Sequence, residues 1–231
     1  MKLTGYFAGA LFSGHELHGN RVLAAAIGEV SQGIVQLDLP QDLSTQETGD
    51  GRATRSADYL GMIQRDFVFA NMNGSELDSG TVAEYVVASM LGMPRVQFRS
   101  DFRNVGDVPT SFKDDIIVSK TSAVPYNLML GYDESSMVLV NSMKLYKNTS
   151  DVQTFVQKMA VAAVRGIKLA FEQTQTAKPE EYPSQQKALV RDLRLEEATV
   201  VEILKQKAGR HLSDEYRTAI GKLVGLNLPA D

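Results

Sequence analysis

Short apolar segments alternate with helix-forming segments from the amino terminus to about residue 140, and this order restricts the fold more than any other feature. The patterns predict strands over 3–8, 34–37, 67–70, 96–98 and 137–140. They predict helices over 16–30, 54–65, 79–91 and 127–133. Strands that alternate with helices pair in parallel, because each crossover helix returns the chain to the same edge of the sheet. The sequence therefore predicts an α/β domain with a parallel sheet and helices on both faces.

Two polar segments, 38–52 and 101–125, are predicted as loops. The second is long for a packed domain unless it serves a ligand site or an interface. From about residue 150 the pattern becomes wholly helical. The helices predicted there are 151–173, 185–208 and 213–224. We therefore predict two units, an α/β domain over 1–149 and a helical C-terminal extension over 150–231.

The composition excludes several kinds of chemistry. The chain has no cysteine, so it forms no disulfide, thiolate metal site or cysteine nucleophile. Its net charge of −4 is unlike that of proteins that bind nucleic-acid polymers, and it favours a small-molecule ligand. His15 and His18 are not accompanied by a cluster of carboxylates and are predicted to be solvated residues at a helix start rather than metal ligands. No apolar run reaches the roughly 18 residues of a membrane span, and no secretory signal opens the chain, so we expect a cytoplasmic protein with no membrane partner.

Glu84 is the only charged residue of the predicted helix 79–91. Val87, Ala88 and Leu91 follow it at three, four and seven positions and therefore share its face of the helix. Burying a carboxylate among apolar side chains is costly unless it has partners. The pattern leaves two interpretations open, a functional carboxylate or one that emerges at a solvated edge of the helix.

Three further residues lie near the carboxyl ends of predicted strands, where α/β sheets bind their ligands. Asp78 precedes the helix of Glu84 and is interpreted either as a pocket residue or as part of a helix cap. Gly9 ends the first strand, where it permits a tight turn or a close approach by a ligand. Tyr6, in the same strand, is by itself typical of a core residue. The glycines here lack the spacing of a dinucleotide-binding loop, so no nucleotide cofactor is predicted.

Five segments in this order resemble the nucleoside 2-deoxyribosyltransferase family. They are YFAGALFS at 6–13, Asp58 eight residues before Asp66, DSGTVAE at 78–84, RSDFR at 99–103 and NLM at 127–129. They extend from residue 6 to about residue 140, more than half of the chain. The resemblance implies a flavodoxin-like fold and a retaining, two-step transfer of 2-deoxyribose between nucleobases.

The resemblance also implies a catalytic role for each matching residue. Glu84 corresponds to the nucleophile that attacks the sugar carbon bearing the base. Tyr6 corresponds to the tyrosine that orients this nucleophile. Asp58 is expected to contact the base and handle its proton, and Asp78 to bind the 5′-hydroxyl of the sugar.

Three more residues are expected to bind the substrate. Gly9 lets the ligand approach the backbone, and Phe12 offers apolar surface on which a base stacks. Asn127 matches an asparagine that family members receive from a neighbouring subunit. A homo-oligomer with shared active sites is therefore expected, with a deoxynucleoside and a free nucleobase as its small-molecule partners.

The chemistry of the sugar agrees with these roles. A 2-deoxy sugar lacks the electron-withdrawing 2′-hydroxyl, so positive charge develops more easily at its anomeric carbon. A carboxylate stabilises this charge and traps the sugar covalently, as in retaining glycosidases. The departing base needs a proton donor at its nitrogen. One glutamate and two aspartates supply these functions, so we expect no metal and no organic cofactor.

Two other functions stay open at the level of sequence. One is an N-glycosidase that passes the sugar of a deoxynucleoside or its 5′-monophosphate to water; the other is a non-catalytic nucleotide sensor that signals through the helical extension. Family members that hydrolyse monophosphates hold the phosphate with glycine, serine and arginine near the first loop. Here that loop reads Leu11-Phe12-Ser13-Gly14-His15 and contains no arginine, which favours transfer. The chain also departs from many relatives in having Asn73-Gly74 where they have Asp-Gly, and in continuing to Asp231.

Overall fold

The computed structural model describes residues 1–43, 51–74, 77–100, 115–120, 135–173 and 182–229. Within these ranges one sheet contains β1 Leu3–Gly9, β2 Val35–Asp38, β3 Phe67–Asn71, β4 Arg95–Arg99, β5 Ile116–Lys120 and β6 Ser136–Val140. The strand order is β2-β1-β3-β4-β6-β5. All neighbours pair in parallel except β5, which lies antiparallel to β6 at the edge.

The helices of the described residues are α1 Gly14–Val30, α2 Pro40–Leu43, α3 Gly51–Ile63, α4 Ser79–Met90, α5 Ser142–Lys147, α6 Val152–Gln173, α7 Tyr182–Asp192, α8 Glu197–Leu212 and α9 Asp214–Val224. Helices α1 and α6 cover one face of the sheet, and α3 and α4 cover the other. The predicted flavodoxin-like α/β fold, with additional helices at the C-terminus, is confirmed. None of the described helices is long and apolar enough to cross a bilayer.

The alternation of side chains along β1 separates two apolar cores. Phe7 faces α1 and α6, where its ring lies 5.2 Å from that of Phe69. Tyr6, its neighbour in sequence, is fully buried on the opposite face together with residues of α3, α4, α7 and α8. Successive residues of a strand point to opposite faces, so the position of Tyr6 next to Phe7 directs its phenol toward α4.

Gly166 allows α6 to lie directly against the sheet. A Cβ atom at this position would come within 2.3 Å of Val138 in β6, and the carbonyl of Gly166 accepts a 2.6 Å hydrogen bond from the hydroxyl of Ser136. Only glycine permits such an approach between helix and strand. The first helix of the predicted extension thus belongs to the same layer as α1. The division of the chain at residue 150 stays a prediction.

Helix α8 is fixed to the amino edge of the sheet by a buried ion pair. Both carboxylate oxygens of Asp66, just before β3, accept hydrogen bonds from Arg210, at 2.8 Å from Nε and 2.7 Å from Nη2. The backbone amide of Thr4 in β1 donates a third, at 2.7 Å. Asp66 is 1% exposed, and burial alone would raise the pKa of its carboxyl, but His211, Arg210 and the amide of Thr4 together hold this pKa down to about 2. Helix α8 of the extension therefore lies at the amino edge of the sheet, away from the carboxyl ends of the parallel strands.

Several predicted elements need correction. The segment 38–52 contains the one-turn helix α2, and 101–125 contains β5, whose edge position depends on pairing with β6. The predicted helix 185–208 is divided into α7 and α8, since Arg194 takes a left-handed conformation with φ of 55° between them. Helix α5 was not predicted. The predicted helix 127–133 lies outside the described residues.

Candidate active site

Tyr6 and Glu84 meet between β1 and α4. Helix α4 begins at the carboxyl end of β3, which brings Glu84 in its second turn close to the face of β1 that carries Tyr6. The phenol of Tyr6 donates a 2.7 Å hydrogen bond to Oε1 of Glu84. Among the described residues no donor reaches Oε2, the other oxygen of this carboxylate. Glu84 is partly exposed, so its carboxylate is neither fully solvated nor enclosed in the core.

The surroundings of Glu84 change its acidity. Burial raises its pKa to about 7, the hydrogen bond from Tyr6 opposes this rise, and the negative charges of Asp58 and Asp78 add to it. Burial and the charge of Glu84 together raise the pKa of Tyr6 far above its ordinary value, so this phenol stays protonated and acts as a donor. A carboxylate whose pKa lies near 7 and whose orientation is fixed by a hydrogen bond to one oxygen is suited to nucleophilic or general-base chemistry.

Asp58 lies on α3, facing the same space. Its side chain is half-buried, and it accepts no hydrogen bond from the described part of the chain. Burial raises the pKa of its carboxyl. The negative charge of Asp58 raises the pKa of both Glu84 and Tyr6, so the three side chains form one cluster. A carboxyl in these surroundings can carry a proton to or from a ligand.

Asp78 caps α4. Its Oδ2 atom accepts 2.7 Å and 2.8 Å hydrogen bonds from the backbone amide and the hydroxyl of Thr81. Its Oδ1 atom accepts none within the described ranges, although its charge is close enough to raise the pKa of Glu84. The capping interpretation of Asp78 is thus correct, and the second oxygen stays available to a ligand at the carboxyl edge.

The remaining site residues lie at the end of β1 and beyond. Gly9 is buried, and a Cβ atom there would lie 3.2 Å from Cβ of Asn71, so a larger side chain would crowd β3. Phe12 is 82% exposed, and its ring is not part of the core. Asn127 lies outside the described residues. The structure therefore brings together Tyr6, Asp58, Asp78 and Glu84, whereas the exposed ring of Phe12 contacts none of the described core residues.

Asn20 was missed by the sequence analysis. It is 5% exposed in the middle of α1, where it donates a 2.9 Å hydrogen bond to the carbonyl of Ala10 and accepts one of 3.0 Å from Asn71. Leu23 and Ile27 follow it at three and seven positions on the same helix face. A polar residue on an apolar face drew attention to Glu84, and the same signal applied to α1 identifies Asn20.

The sequence model of the nucleoside 2-deoxyribosyltransferase family matches residues 6–140, which is more than half of the chain. This protein belongs to the nucleoside 2-deoxyribosyltransferase family. The matched range contains Tyr6, Asp58, Asp78 and Glu84, while α6 and the helices after it lie beyond its end. Family membership implies a glycosyl-transferring enzyme that acts on small nucleosides and nucleobases.

Comparison with other proteins adds little detail to this family assignment. No curated protein sequence matches the chain. Among the solved structures that match this family member is one described as a conserved protein from Enterococcus faecalis V583. It is 18% identical, the match covers 90% of this chain and 99% of that chain, and the TM-score is 0.39.

Proposed function

We propose that this protein transfers 2-deoxyribose between nucleobases through a covalent deoxyribosyl ester on Glu84. The observation that carries the proposal is the hydrogen bond from Tyr6 to one oxygen of a carboxylate whose other oxygen has no donor among the described residues. A purely structural glutamate on this helix face would gain from satisfying both oxygens. A nucleophile needs one oxygen fixed and the other directed at the substrate.

The first half-reaction forms the ester and releases the base. Oε2 of Glu84 attacks the anomeric carbon of the deoxynucleoside, and the bond between that carbon and the base nitrogen breaks. The bonding electron pair leaves with the base, and the nitrogen takes a proton from Asp58. The 2-deoxy sugar passes through a transition state with positive charge at the anomeric carbon, which the carboxylate beneath it stabilises.

The second half-reaction reverses these steps with another base. A ring nitrogen of the incoming base attacks the anomeric carbon, its proton returns to Asp58, and the ester electron pair returns to Glu84. Atoms, charges and protons balance over the cycle. Two inversions at the same carbon give net retention.

The protonation states follow from the proximity of the two carboxyls. Burial, with a smaller contribution from the charge of Asp58, raises the pKa of Glu84 to about 7, so the two carboxyls share one proton just below neutral pH. A bound base covers Asp58 and disfavours its charged form, which directs this proton onto Asp58 and leaves Glu84 anionic. Substrate binding therefore sets both groups in the states that the first half-reaction requires.

The other residues of the cluster select and orient the sugar and the base. The free Oδ1 of Asp78 accepts the hydroxyl proton of the sugar 5′-position, while Oδ2 keeps its bonds to Thr81. The exposed ring of Phe12 stacks on the base and excludes water from the ester. Asn127 completes the site of a neighbouring subunit in a homo-oligomer. Mixing inactive Glu84→Gln and inactive Asn127→Ala subunits restores activity in such an oligomer, and activity stays absent if each chain forms its own site.

The decisive experiment follows both products when a deoxynucleoside is mixed with a second base. We expect the exchanged nucleoside to form faster than free deoxyribose accumulates, and ribonucleosides to react poorly. If added base leaves sugar release unchanged and no new nucleoside forms, the protein is a hydrolase that uses the same Glu84 ester. Repeating the assay with 5′-monophosphates separates nucleoside from nucleotide substrates.

A further inference from the structure

Helices α7 and α8 contact the two helices that carry the carboxyls of the candidate site. Asp58 lies on α3 and Glu84 on α4, and both helices end near the amino edge of the sheet, where α8 is anchored. The range that matches the family ends at residue 140, so α7 and α8 are additions to the matched range. Their bonds to α3 and α4 indicate what these additions do.

A lysine of α8 caps the C-terminal end of α3. Nζ of Lys207 donates a 3.0 Å hydrogen bond to the carbonyl of Ile63, the last residue of α3. The last carbonyls of a helix have no partner within the helix and carry partial negative charge, so an ammonium group is well matched to them. Burial lowers the pKa of Lys207 to about 8, which distinguishes it from a fully solvated surface lysine.

Helix α3 is also bonded to the extension on the other side of Asp58. Nη1 of Arg55, three residues before Asp58, donates a 3.0 Å hydrogen bond to the carbonyl of Leu193. Leu193 lies in the segment between α7 and α8, next to the left-handed Arg194. Asp58 therefore lies between two points at which α3 is bonded to the extension.

The C-terminal end of α4 is bonded to α7. Nε2 of Gln185 donates a 3.1 Å hydrogen bond to the carbonyl of Leu91, the residue that follows α4. Leu91 comes seven residues after Glu84, or about 10 Å along the helix axis. Because α7 and α8 pack against each other, these bonds tie the end of α3 to the end of α4.

The extension also shares an apolar core with the neighbours of both carboxyls. Tyr59 and Tyr85, which directly follow Asp58 and Glu84 in the sequence, are buried. Both belong to the same core as Tyr6, and the chain from α7 to α8 contributes five buried residues to it: Leu189, Leu195, Val200, Ile203 and Leu204. The extension thus packs against the same layer that presents the carboxyls.

Two like charges explain why these helices need support. The negative charge of Asp58 raises the pKa of Glu84, so the two carboxyls repel each other when both are charged. Repulsion between them favours separation of α3 and α4. A helix moves as a stiff unit, so a bond at its C-terminal end limits the displacement of a side chain one or two turns away.

We propose that Lys207 and Gln185 are positioning residues, which hold α3 and α4 at the separation at which Asp58 and Glu84 act on one substrate. The catalytic roles of the two carboxyls rest on the proposed function. Their separation does not, and it can be measured without turnover.

Methionine replaces either side chain at similar length and removes its donor. Lys207→Met and Gln185→Met each remove one of the two bonds, while Lys205→Met and Gln186→Met are the matched controls. Lys205 is exposed on α8, and the amide of Gln186 contacts Glu197 of α8 instead of α4.

The first measurement is the titration of Glu84 in the folded protein, followed by NMR with ¹³C-labelled glutamate carboxyls and assigned against Glu84→Gln. When the helices are held less firmly, the carboxyls separate and water enters, and both changes lower the pKa of Glu84. We expect its midpoint to fall by at least about half a pH unit in Lys207→Met and Gln185→Met and to stay unchanged in the controls. Removing the cation of Lys207 would by itself raise the midpoint, so the sign separates positioning from a direct effect of charge. A loss of stability alone would not move it.

The second measurement separates kcat from KM in base exchange. We expect kcat to fall about 10- to 100-fold in both variants, with KM within about threefold of the wild type, because misplacement of the carboxyls affects the chemical step. A midpoint that does not fall in a folded variant would overturn the role of that residue, as would an equal fall in its control. If Lys207→Met does not fold, Gln185→Met decides. Absence of base exchange in the wild type would refute the proposed function and leave the titration result intact, so the two proposals are tested apart.

Discussion

Tyr6 and Glu84 lie 78 residues apart in sequence, and the phenol of Tyr6 donates a 2.7 Å hydrogen bond to the carboxylate of Glu84. This bond fixes one oxygen of a group whose pKa burial raises to about 7. It also lowers the pKa that Glu84 would otherwise have, because a donor stabilises the charged form. The consequences of this arrangement are measurable in both activity and stability.

The pH dependence of kcat/KM reports the shared proton of Glu84 and Asp58. If the active form holds one proton on the pair, the profile is bell-shaped, with an alkaline limb near pH 7. Tyr6→Phe removes a bond that lowers the pKa of Glu84, so the alkaline limb moves to higher pH and kcat/KM falls about 10- to 100-fold. Asp58→Asn leaves a slow enzyme without that limb. Tyr146→Phe, at an exposed tyrosine, serves as the control and leaves the profile unchanged. An identical profile in Tyr6→Phe and wild type would contradict this assignment.

Glu84 also reduces the stability of the folded protein at alkaline pH. Its pKa is raised in the fold from 4.5 to about 7, so its contribution to stability is full below about pH 4.5 and is lost as the pH rises through 7. Glu84→Gln should therefore raise the free energy of unfolding by about 1–3 kcal/mol near pH 8, and by much less near pH 5. Denaturant unfolding at both pH values measures the difference. Glu29→Gln, at an exposed position of α1, should show no such pH-dependent gain, and a gain equal to that of Glu84→Gln would refute the cause.

The buried ion pair between Asp66 and Arg210 predicts a different dependence on pH. The pKa of Asp66 is lowered in the fold from 3.8 to about 2, so its contribution to stability is present above about pH 3.8 and is lost as the pH falls through 2. Arg210→Ala removes two hydrogen bonds and the compensating positive charge from a buried carboxylate and should cost about 3–5 kcal/mol. Asp214→Asn breaks the exposed pair with Arg217 and should cost less than about 0.5 kcal/mol. Equal losses from the two variants in denaturant unfolding would show that Asp66 and Arg210 do not anchor α8.

The two roles of Asp78 can be separated by substitution. Asp78→Ser keeps a side-chain acceptor for the amide of Thr81, so the stability of α4 should change by less than about 0.5 kcal/mol, whereas Asp78→Ala should cost about 1 kcal/mol. Both variants lose the oxygen proposed for the 5′-hydroxyl. We expect each to reduce kcat/KM for a deoxynucleoside strongly and to leave a 2′,5′-dideoxynucleoside unaffected. If Asp78→Ser retains full activity on deoxynucleosides, Asp78 serves only as a helix cap.

Local patterns in the sequence were sufficient to predict the five parallel strands of the central sheet. The strand of Phe67 is marked by a continuous run of apolar residues, and the helix of Glu84 by apolar residues at helical spacing. Both elements were predicted close to their observed bounds. Strand β5 was missed because Ile116–Lys120 becomes a strand by pairing with β6, a partner that follows it in the chain. The break between α7 and α8 depends on the left-handed conformation of Arg194. The sequence did not predict it, because arginine rarely adopts a positive φ.

The arrangement of the candidate site could be predicted less well from local sequence patterns. The isolation of Glu84 on an apolar face singled it out, but nothing in the local pattern placed Tyr6 or Asp58 beside it. Their proximity comes from the order of strands in the sheet, and the family resemblance supplied it in advance. Asn20 carries the same signal, a polar residue on an apolar helix face, but its partners could not be predicted. Its hydrogen bonds join three segments that meet only in the folded protein.

The most direct test of the account is to trap the sugar on the enzyme. With a 2′-fluoroarabinosyl nucleoside the ester breaks down slowly enough to accumulate and be detected, because fluorine withdraws electrons from the anomeric carbon. Intact-mass analysis followed by peptide mapping should find one fluorinated sugar on Glu84 of the wild type and none on Glu84→Gln. Adding a free base should then discharge the label as a new nucleoside. A label on a residue other than Glu84 would contradict the central claim. Near-normal turnover of the natural substrate by Glu84→Gln would contradict it as well.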